Sequence, residues 1–181
     1  MFKIAIIGPE STGKSTLAEK LAQHFNTDFI PEYSRTYLEN FEGRYSENDV
    51  VEIAKGQHKL ILEKKKESPD ILIADTEIIV CKIWCEYVFK HSNETIDNIL
   101  KEQNFDLYLL CDIDLPWVYD PLRENPNLEE RKELFEIYRN TLEQMNVGTR
   151  HATPIPFEIV RGNNEERVEN AINIIMKYYH E

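Results

Sequence analysis

Lys14 closes the run Gly8-Pro9-Glu10-Ser11-Thr12-Gly13-Lys14-Ser15, which reads Gly, four residues, Gly-Lys-Ser. That spacing belongs to a phosphate-binding loop when a strand precedes it and a helix follows. Gly8 and Gly13 can adopt backbone angles closed to other residues, so the chain can curl tightly around a phosphate. Successive N–H groups of such a loop converge as an anion nest. The amine of Lys14 can reach the terminal phosphates, and the Ser15 hydroxyl can hold magnesium. Thr16 lies at the start of the following helix, whose N-terminus adds positive potential. The residues from Gly8 to Thr16 are therefore expected to bind a nucleoside triphosphate.

Four other places carry groups suited to that chemistry. Glu32-Tyr33-Ser34-Arg35 follows Pro31, at the end of a short apolar run. Asp75-Thr76-Glu77 closes the apolar run Ile71–Ala74, and an aspartate there can hold magnesium, usually through water. Asp114-Leu115-Pro116-Trp117-Val118-Tyr119-Asp120-Pro121-Leu122-Arg123 holds two prolines among aromatics and cannot form a regular helix. With the charged stretch after it, this reads as a mobile lid over roughly 113–131. Arg123 and Arg131 are its candidates to close on phosphate oxygens, since a guanidinium is planar and permanently charged. Arg161-Gly162-Asn163 makes a turn after the last apolar run, where Asn163 is expected beside the adenine.

The elements that must position these groups alternate along the chain. Strands are expected at Phe2–Ile7, Thr27–Ile30, Ile71–Ala74, Phe105–Cys111 and Phe157–Val160. Helices are expected from Thr16 to Phe25, Asp49 to Glu67 behind a Ser46 cap, Ile78 to Phe89, Asn93 to Gln103, Arg131 to Met145, and Glu165 to Tyr179 behind an Asn164 cap. His151 to Pro156 is read as a loop. Trp84, Tyr87 and Phe89 are read as core aromatics, and Gln57 as a residue at the core edge. Apolar strands alternating with helices imply an α/β fold with a parallel sheet covered on both faces. A magnesium carboxylate must lie beside the phosphate loop, so the third strand neighbours the first and the order is 2-3-1-4-5. Ligands of such a sheet gather at the carboxyl ends of the strands, which puts Glu32, Arg35 and Asp75 together.

The 181 residues fit one domain, 1–181. Lys and Arg number 21 against 33 Asp and Glu, a net charge of −12, which disfavours a nucleic-acid partner. Cys81, Cys85 and Cys111 complete no zinc set and read as buried thiols, as suits a reducing compartment. No run reaches the ~18 apolar residues of a membrane span. A strand starting at residue 2 leaves no room for a leader, so a cytoplasmic protein with no membrane partner is expected.

The phosphate loop, Glu32-Tyr33-x-Arg35, Asp75-Thr76-Glu77 and Pro116-Trp117-Val118-x-Asp120-x-Leu122-Arg123 occur in this order along nearly the whole chain. Together they resemble the ribosylnicotinamide kinase domain of the bifunctional NAD-biosynthesis regulator and its stand-alone ATPase/kinase relatives. The Pro-Trp-Val to Leu-Arg segment is the distinctive part. The resemblance implies a P-loop NTPase of the nucleoside/nucleotide kinase type, with ATP and Mg2+ as cofactors. It implies phosphorylation of the 5′-hydroxyl of nicotinamide riboside. Glu32, Tyr33, Arg35, Asp75 and Trp117 then fall on the acceptor side. The bifunctional protein also has a nucleotidylyltransferase domain with a His-x-Gly-His motif. None stands here, so only the kinase activity carries over. Pro31 occupies a position where the family often has an aromatic residue.

The leading expectation is thus an ATP-dependent kinase. Lys14, Arg123 and Arg131 stabilise the transferring phosphoryl group, and Ser15 and Asp75 serve the metal. Glu32 is favoured as the base that takes the acceptor's proton, with the roles of Glu32 and Asp75 open to exchange. A different nucleoside or nucleotide acceptor is the second reading. An ATP-binding regulator without a small acceptor is the third. A guanine-nucleotide switch is disfavoured, because Asp112-Ile113-Asp114-Leu115 stands where Asn-Lys-x-Asp belongs.

Overall fold

Alternate residues of the first strand, β1 (Phe2–Ile7), feed two separate cores. Ala5 and Ile7 face one side of the sheet, and Ile4 and Ile6 the other. A strand apolar on both faces must be central, and β1 is. The computed structural model describes residues 1–39, 41, 43–147 and 156–179. After β1 the chain runs α1 (Lys14–His24), β2 (Phe29–Ile30), α2 (Tyr33–Leu38), α3 (Glu47–Lys66), β3 (Ile71–Asp75) and α4 (Ile78–Phe89). It continues with α5 (Glu94–Glu102), β4 (Leu107–Cys111), α6 (Leu128–Val147), β5 (Phe157–Val160) and α7 (Asn164–Tyr179).

The five strands form one parallel sheet in the order β2-β3-β1-β4-β5, as the metal-carboxylate argument requires. Ile4 lies opposite Ile73 of β3 and Leu107 of β4. Helices α1 and α7 cover one face, packing Leu17, Leu21, Ala171 and Ile175 against Ile4, Ile6, Ile73 and Leu109. On the other face, Ile61 of α3, Ile79 and Ile83 of α4, and Phe135 and Tyr138 of α6 pack on Ala5, Ile7, Leu72 and Leu110. A third cluster joins α3, α4 and α5 through Val50, Ile53, Ile78, Cys81, Cys85 and Ile96.

Several boundaries differ from the sequence reading, each for a local reason. Helix α1 begins at Lys14 rather than Thr16, directly after the left-handed Gly13 (φ 78°). Strand β2 keeps only Phe29 and Ile30, while the Thr27 hydroxyl donates to the Ile71 carbonyl at 3.1 Å. Helix α6 starts at Leu128, because Asn127 Oδ1 accepts the Glu129 N–H at 2.9 Å and stabilises an earlier first turn. Asn163, not Asn164, caps α7: its Oδ1 accepts the Glu166 N–H at 3.3 Å. The Ser46 cap of α3 is as expected, with Asp49 Oδ2 accepting the Ser46 N–H at 2.7 Å. Of the loop expected from His151 to Pro156, residues 151–155 lie outside the described residues.

Gly56, inside α3, is costly for a helix by about 1 kcal/mol relative to Ala. It is explained by packing, because a Cβ there would overlap the ring of Tyr33.

Candidate active site

The carboxyl edge of the sheet gathers the groups singled out in the sequence. Gly8 follows β1 directly, with φ 138°. A Cβ at that position would stand 2.8 Å from the Cys111 carbonyl oxygen, so the loop can cross the end of β4 only with glycine there. Ser11 also takes a left-handed conformation (φ 58°), a strained state for a residue with a side chain. The Thr12 hydroxyl donates to the Pro9 carbonyl at 2.8 Å and closes the curl. Lys14 Nζ donates to the carbonyls of Gly8 and Pro9, both at 3.0 Å, which holds the ammonium over the loop's concave face.

Strand β3 sets Asp75 beside this loop: Asp75 pairs in register with Ile6, and the Thr76 N–H donates to the Ile6 carbonyl at 3.0 Å. Asp75 is buried, and its Oδ1 has no hydrogen-bond partner. Burial pushes its carboxyl up to about 6, with the Glu32 charge adding to the rise. Lys14, a hydrogen bond from Ser15, and Arg35 oppose it. An unpartnered carboxylate oxygen next to a serine hydroxyl is a hard-donor set that fits Mg2+.

Glu32 caps α2 and is half-buried at the same edge, because β2 pairs with β3 through Ile30 and Ala74. Its Oε1 accepts the Ser34 hydroxyl at 2.7 Å. Glu77, at the end of the Asp75-Thr76-Glu77 run, has a different task. It is fully buried and caps α4, with Oε1 accepting the Ile79 N–H at 2.9 Å. Burial raises its carboxyl to about 8, so near neutrality it is largely protonated.

The segment expected as a lid lies over the phosphate loop. Glu10 Oε2 accepts the backbone N–H groups of Glu124 at 2.9 Å and Asn125 at 3.0 Å. Ser11 Oγ accepts the Val118 N–H at 2.9 Å and Arg123 Nη1 at 3.3 Å. Arg131 is buried and donates from Nη2 to the Ser11 and Leu115 carbonyls, each at 3.4 Å. Burial, with the nearby Arg123 charge, lowers its proton affinity below the ordinary arginine value. Trp117 lies close to both guanidiniums, 6.0 Å from Arg123 and 5.7 Å from Arg131 at the ring centroid. Neither arginine pairs with Glu124, Glu129 or Glu130 in the ion pairs of the described residues.

A cavity of about 360 Å³ runs from the phosphate loop into the space between α2, α4 and α6. Residues 8 to 16, Glu32, Arg35 and Arg123 line its polar end. Phe41, Tyr45, Trp84, Tyr87 and Tyr138 are among the lining of the other end. Trp84 and Tyr87 were read as core. In the structure they are only half-buried: Trp84 packs on the α3–α4–α5 cluster and Tyr87 on the larger core, and both also line the cavity. Trp84 Nε1 donates to the Tyr45 hydroxyl at 3.0 Å, and that hydroxyl donates to Glu124 Oε2 at 2.6 Å.

The structure does not bring every expected residue to the cavity. Tyr33 packs its ring on Gly56 and beside Tyr37, in the α3–α4 cluster. Trp117 is held between the two arginines and is not among the cavity-lining residues. Asn163 is spent on capping α7, while the adjacent Gly162 N–H donates to Asp114 Oδ2 at 2.7 Å. The three cysteines are buried and unpaired, and burial raises Cys111 to about 11, which keeps it a neutral thiol. No cluster of three or more metal-ligating His, Cys, Asp or Glu occurs among the described residues, and no helix is long and apolar enough to cross a membrane.

A phosphate loop on β1, a carboxylate on the neighbouring β3 and an arginine-bearing segment after β4 define a P-loop protein of the nucleoside and nucleotide kinase type. A family described as "AAA domain" matches residues 3–167, and the chain belongs to it. Over 150 residues it is 33% identical to the trifunctional NAD biosynthesis/regulator protein NadR of Escherichia coli K12. That match covers 80% of this chain but 36% of the relative, so the chain corresponds to about a third of that protein. A crystal structure of NadR in complex with NR superposes with a TM-score of 0.77 at 21% identity, covering 98% of this chain and half of that one. Thymidylate kinase from Ehrlichia chaffeensis superposes with a TM-score of 0.67 at 14% identity, covering 96% of this chain and 98% of its own, which is a likeness of fold.

Proposed function

We propose that the chain transfers the terminal phosphoryl group of ATP to the 5′-hydroxyl of nicotinamide riboside. The observation that carries this is one continuous cavity lined by the phosphate loop, by Glu32 and Arg35, and by a wall of aromatic side chains. A donor loop alone serves many proteins. A donor loop opening into a half-apolar, aromatic chamber suits an acceptor with a flat ring on a sugar. The kinship with NadR and the run from Pro116 to Arg123 support nicotinamide riboside among such acceptors.

In this reading Lys14 and the N–H groups of the loop hold the donor phosphates. Ser15 and Asp75 would hold Mg2+. Bound there, the metal supplies charge neutralisation at the phosphoryl oxygens. Glu32 borders the cavity whereas Asp75 does not, so Glu32 is the carboxylate that takes the proton of the acceptor hydroxyl. As that proton leaves, the acceptor oxygen bonds to the γ-phosphorus, the bond from that phosphorus to the β–γ bridging oxygen breaks, and ADP departs. Arg123 supplies fixed positive charge to the transferring group. Arg131 braces the loop at Ser11 and the following segment at Leu115 through its two carbonyl contacts, and stands beside the Trp117 ring.

The test is ADP release measured with ATP and a panel of nicotinamide riboside, adenosine, cytidine, uridine and thymidine. Release that depends on nicotinamide riboside supports the proposal. Release with another nucleoside alone keeps the kinase and replaces the acceptor.

A further inference from the structure

Gln57 of α3 is a buried polar side chain for which the phosphoryl-transfer scheme has no use. It is 2% exposed, and both ends of its amide are engaged. Its Oε1 accepts the Tyr33 N–H at 2.7 Å, and its Nε2 donates to the Thr76 carbonyl at 3.3 Å. Tyr33 is the residue after Glu32, and Thr76 is the residue after Asp75. A single planar amide therefore spans the two turns that carry the two carboxylates.

The chemistry of those turns calls for such a group. The Tyr33 N–H is a first-turn donor of α2, which has no partner within its own helix. Thr76 is a β-branched residue in the left-handed region (φ 69°), a conformation that persists only when neighbouring contacts impose it. An acceptor is needed on one side and a donor on the other, about an amide's width apart. Asparagine and glutamine offer both on one rigid plane in every protonation state, whereas histidine and a carboxyl do so only in their neutral forms, and glutamine has the reach. The preceding residue completes the seat, because only a glycine at position 56 leaves room for the Tyr33 ring against α3.

We propose that Gln57 is a positioning residue whose side-chain amide ties the Glu32–Tyr33 turn to the Asp75–Thr76 turn and so fixes the spacing of the two carboxylates across the site. This inference rests on the roles given above to Glu32 and Asp75. The carboxylates approach each other from different strand ends, and nothing in a strand pair of two residues, Ile30 with Ala74 and Phe29 with Ile73, holds the chain beyond it. Gln57 supplies the missing tie from outside the sheet.

Two variants of the full chain separate this from simple packing. Gln57→Met keeps length and volume and loses both hydrogen bonds. Gln57→Glu keeps an acceptor for Tyr33 and, read at a pH high enough to ionise the buried carboxyl, sets an oxygen against the Thr76 carbonyl. Three readouts are compared with wild type: amide exchange at Tyr33 and in β1, affinity for a non-hydrolysable ATP analogue with and without Mg2+, and turnover with nicotinamide riboside. In Gln57→Met, Tyr33 should exchange about tenfold faster or more while Ile4–Ile7 keep their protection. The gain in analogue affinity from Mg2+ should shrink severalfold, and kcat should fall roughly tenfold or more with the KM for ATP little changed. Gln57→Glu should keep Tyr33 protected and still lose part of the Mg2+ gain. If both variants keep the wild-type Mg2+ gain, or if β1 loses protection together with Tyr33, Gln57 is a packing residue and the proposal fails. Should Gln57→Met fail to fold, Gln57→Glu alone decides by the same criteria. Should wild type phosphorylate no nucleoside, the proposed acceptor is wrong, while the exchange and Mg2+ readouts still judge Gln57.

Discussion

Arg35 Nη2 and Asp120 Oδ2 form an ion pair at 3.0 Å that joins helix α2 to the segment after β4. Arg123 Nε lies 3.8 Å from the same carboxylate oxygen, so one acid stands against two cavity-lining arginines at once. Half-exposed ion pairs contribute little stability, so this pair matters for where the arginines stand rather than for the fold. Asp120→Ala should quicken amide exchange over residues 116–125 and raise the KM for the acceptor severalfold, with the melting temperature nearly unchanged. In wild type an ATP analogue should add protection across 116–130. Identical exchange with and without the analogue would reject a lid.

Lys14 is bound to two loop carbonyls and to no carboxylate among the described contacts, so its charge is directed into the loop. Lys14→Ala should keep the circular-dichroism spectrum and lose phosphoryl transfer by roughly two to three orders of magnitude, the scale of one lost electrostatic contact to the transition state. Turnover at the wild-type level in that variant would remove the loop from the catalytic account.

The donor half of the site was legible because its chemistry is written in contiguous residues. A Gly-x4-Gly-Lys-Ser run after an apolar strand has few other uses, and an aspartate ending a second apolar strand must then sit beside it. That pair also fixed the sheet order. The acceptor half is assembled from side chains far apart in sequence. Trp84 and Tyr87 have the spacing of core positions on α4 and do pack against core clusters, and only the assembled fold shows that they also line the cavity. Tyr33 was expected at the substrate and serves instead as a packing partner of Gly56, a glycine whose purpose no local rule reveals. Asn163 illustrates a competition: a residue that could meet a ligand is also an ideal helix cap, and the cap prevails here.

The capping box of α3 gives a pH signature. Asp49 is held below its ordinary carboxylate value by the Ser46 hydroxyl first, then by the Ser46 N–H and the Tyr37 hydroxyl. A depressed carboxylate stabilises the fold above its unfolded value of 3.8, and that stabilisation is lost as the pH falls through the lower folded value. Asp49→Ala should therefore melt at a lower temperature than wild type at neutral pH. The difference should narrow as the pH drops below 3.8. A gap that stays constant with pH would mean that packing, not charge, is what Asp49 supplies.

Glu32 and Asp75 are separable by isosteric amides. Glu32→Gln should lower kcat by roughly a hundredfold or more with little change in analogue affinity, because only the proton acceptor is lost. Asp75→Asn should weaken the Mg2+-dependent part of nucleotide binding as well as turnover. The opposite pattern, with Glu32→Gln nearly fully active and Asp75→Asn inactive but binding Mg2+ and nucleotide normally, would transfer the base to Asp75.

The aromatic chamber beside the phosphate loop is proposed to receive a nucleoside. The most direct test is ADP release by the wild-type chain at saturating ATP and Mg2+, followed as nicotinamide riboside is titrated in. A saturable rise well above the rate without acceptor is expected, with one phosphorylated riboside formed per ADP. ATP binding with an ADP rate that no nucleoside raises would contradict it, and would leave a nucleotide-binding protein without a small acceptor.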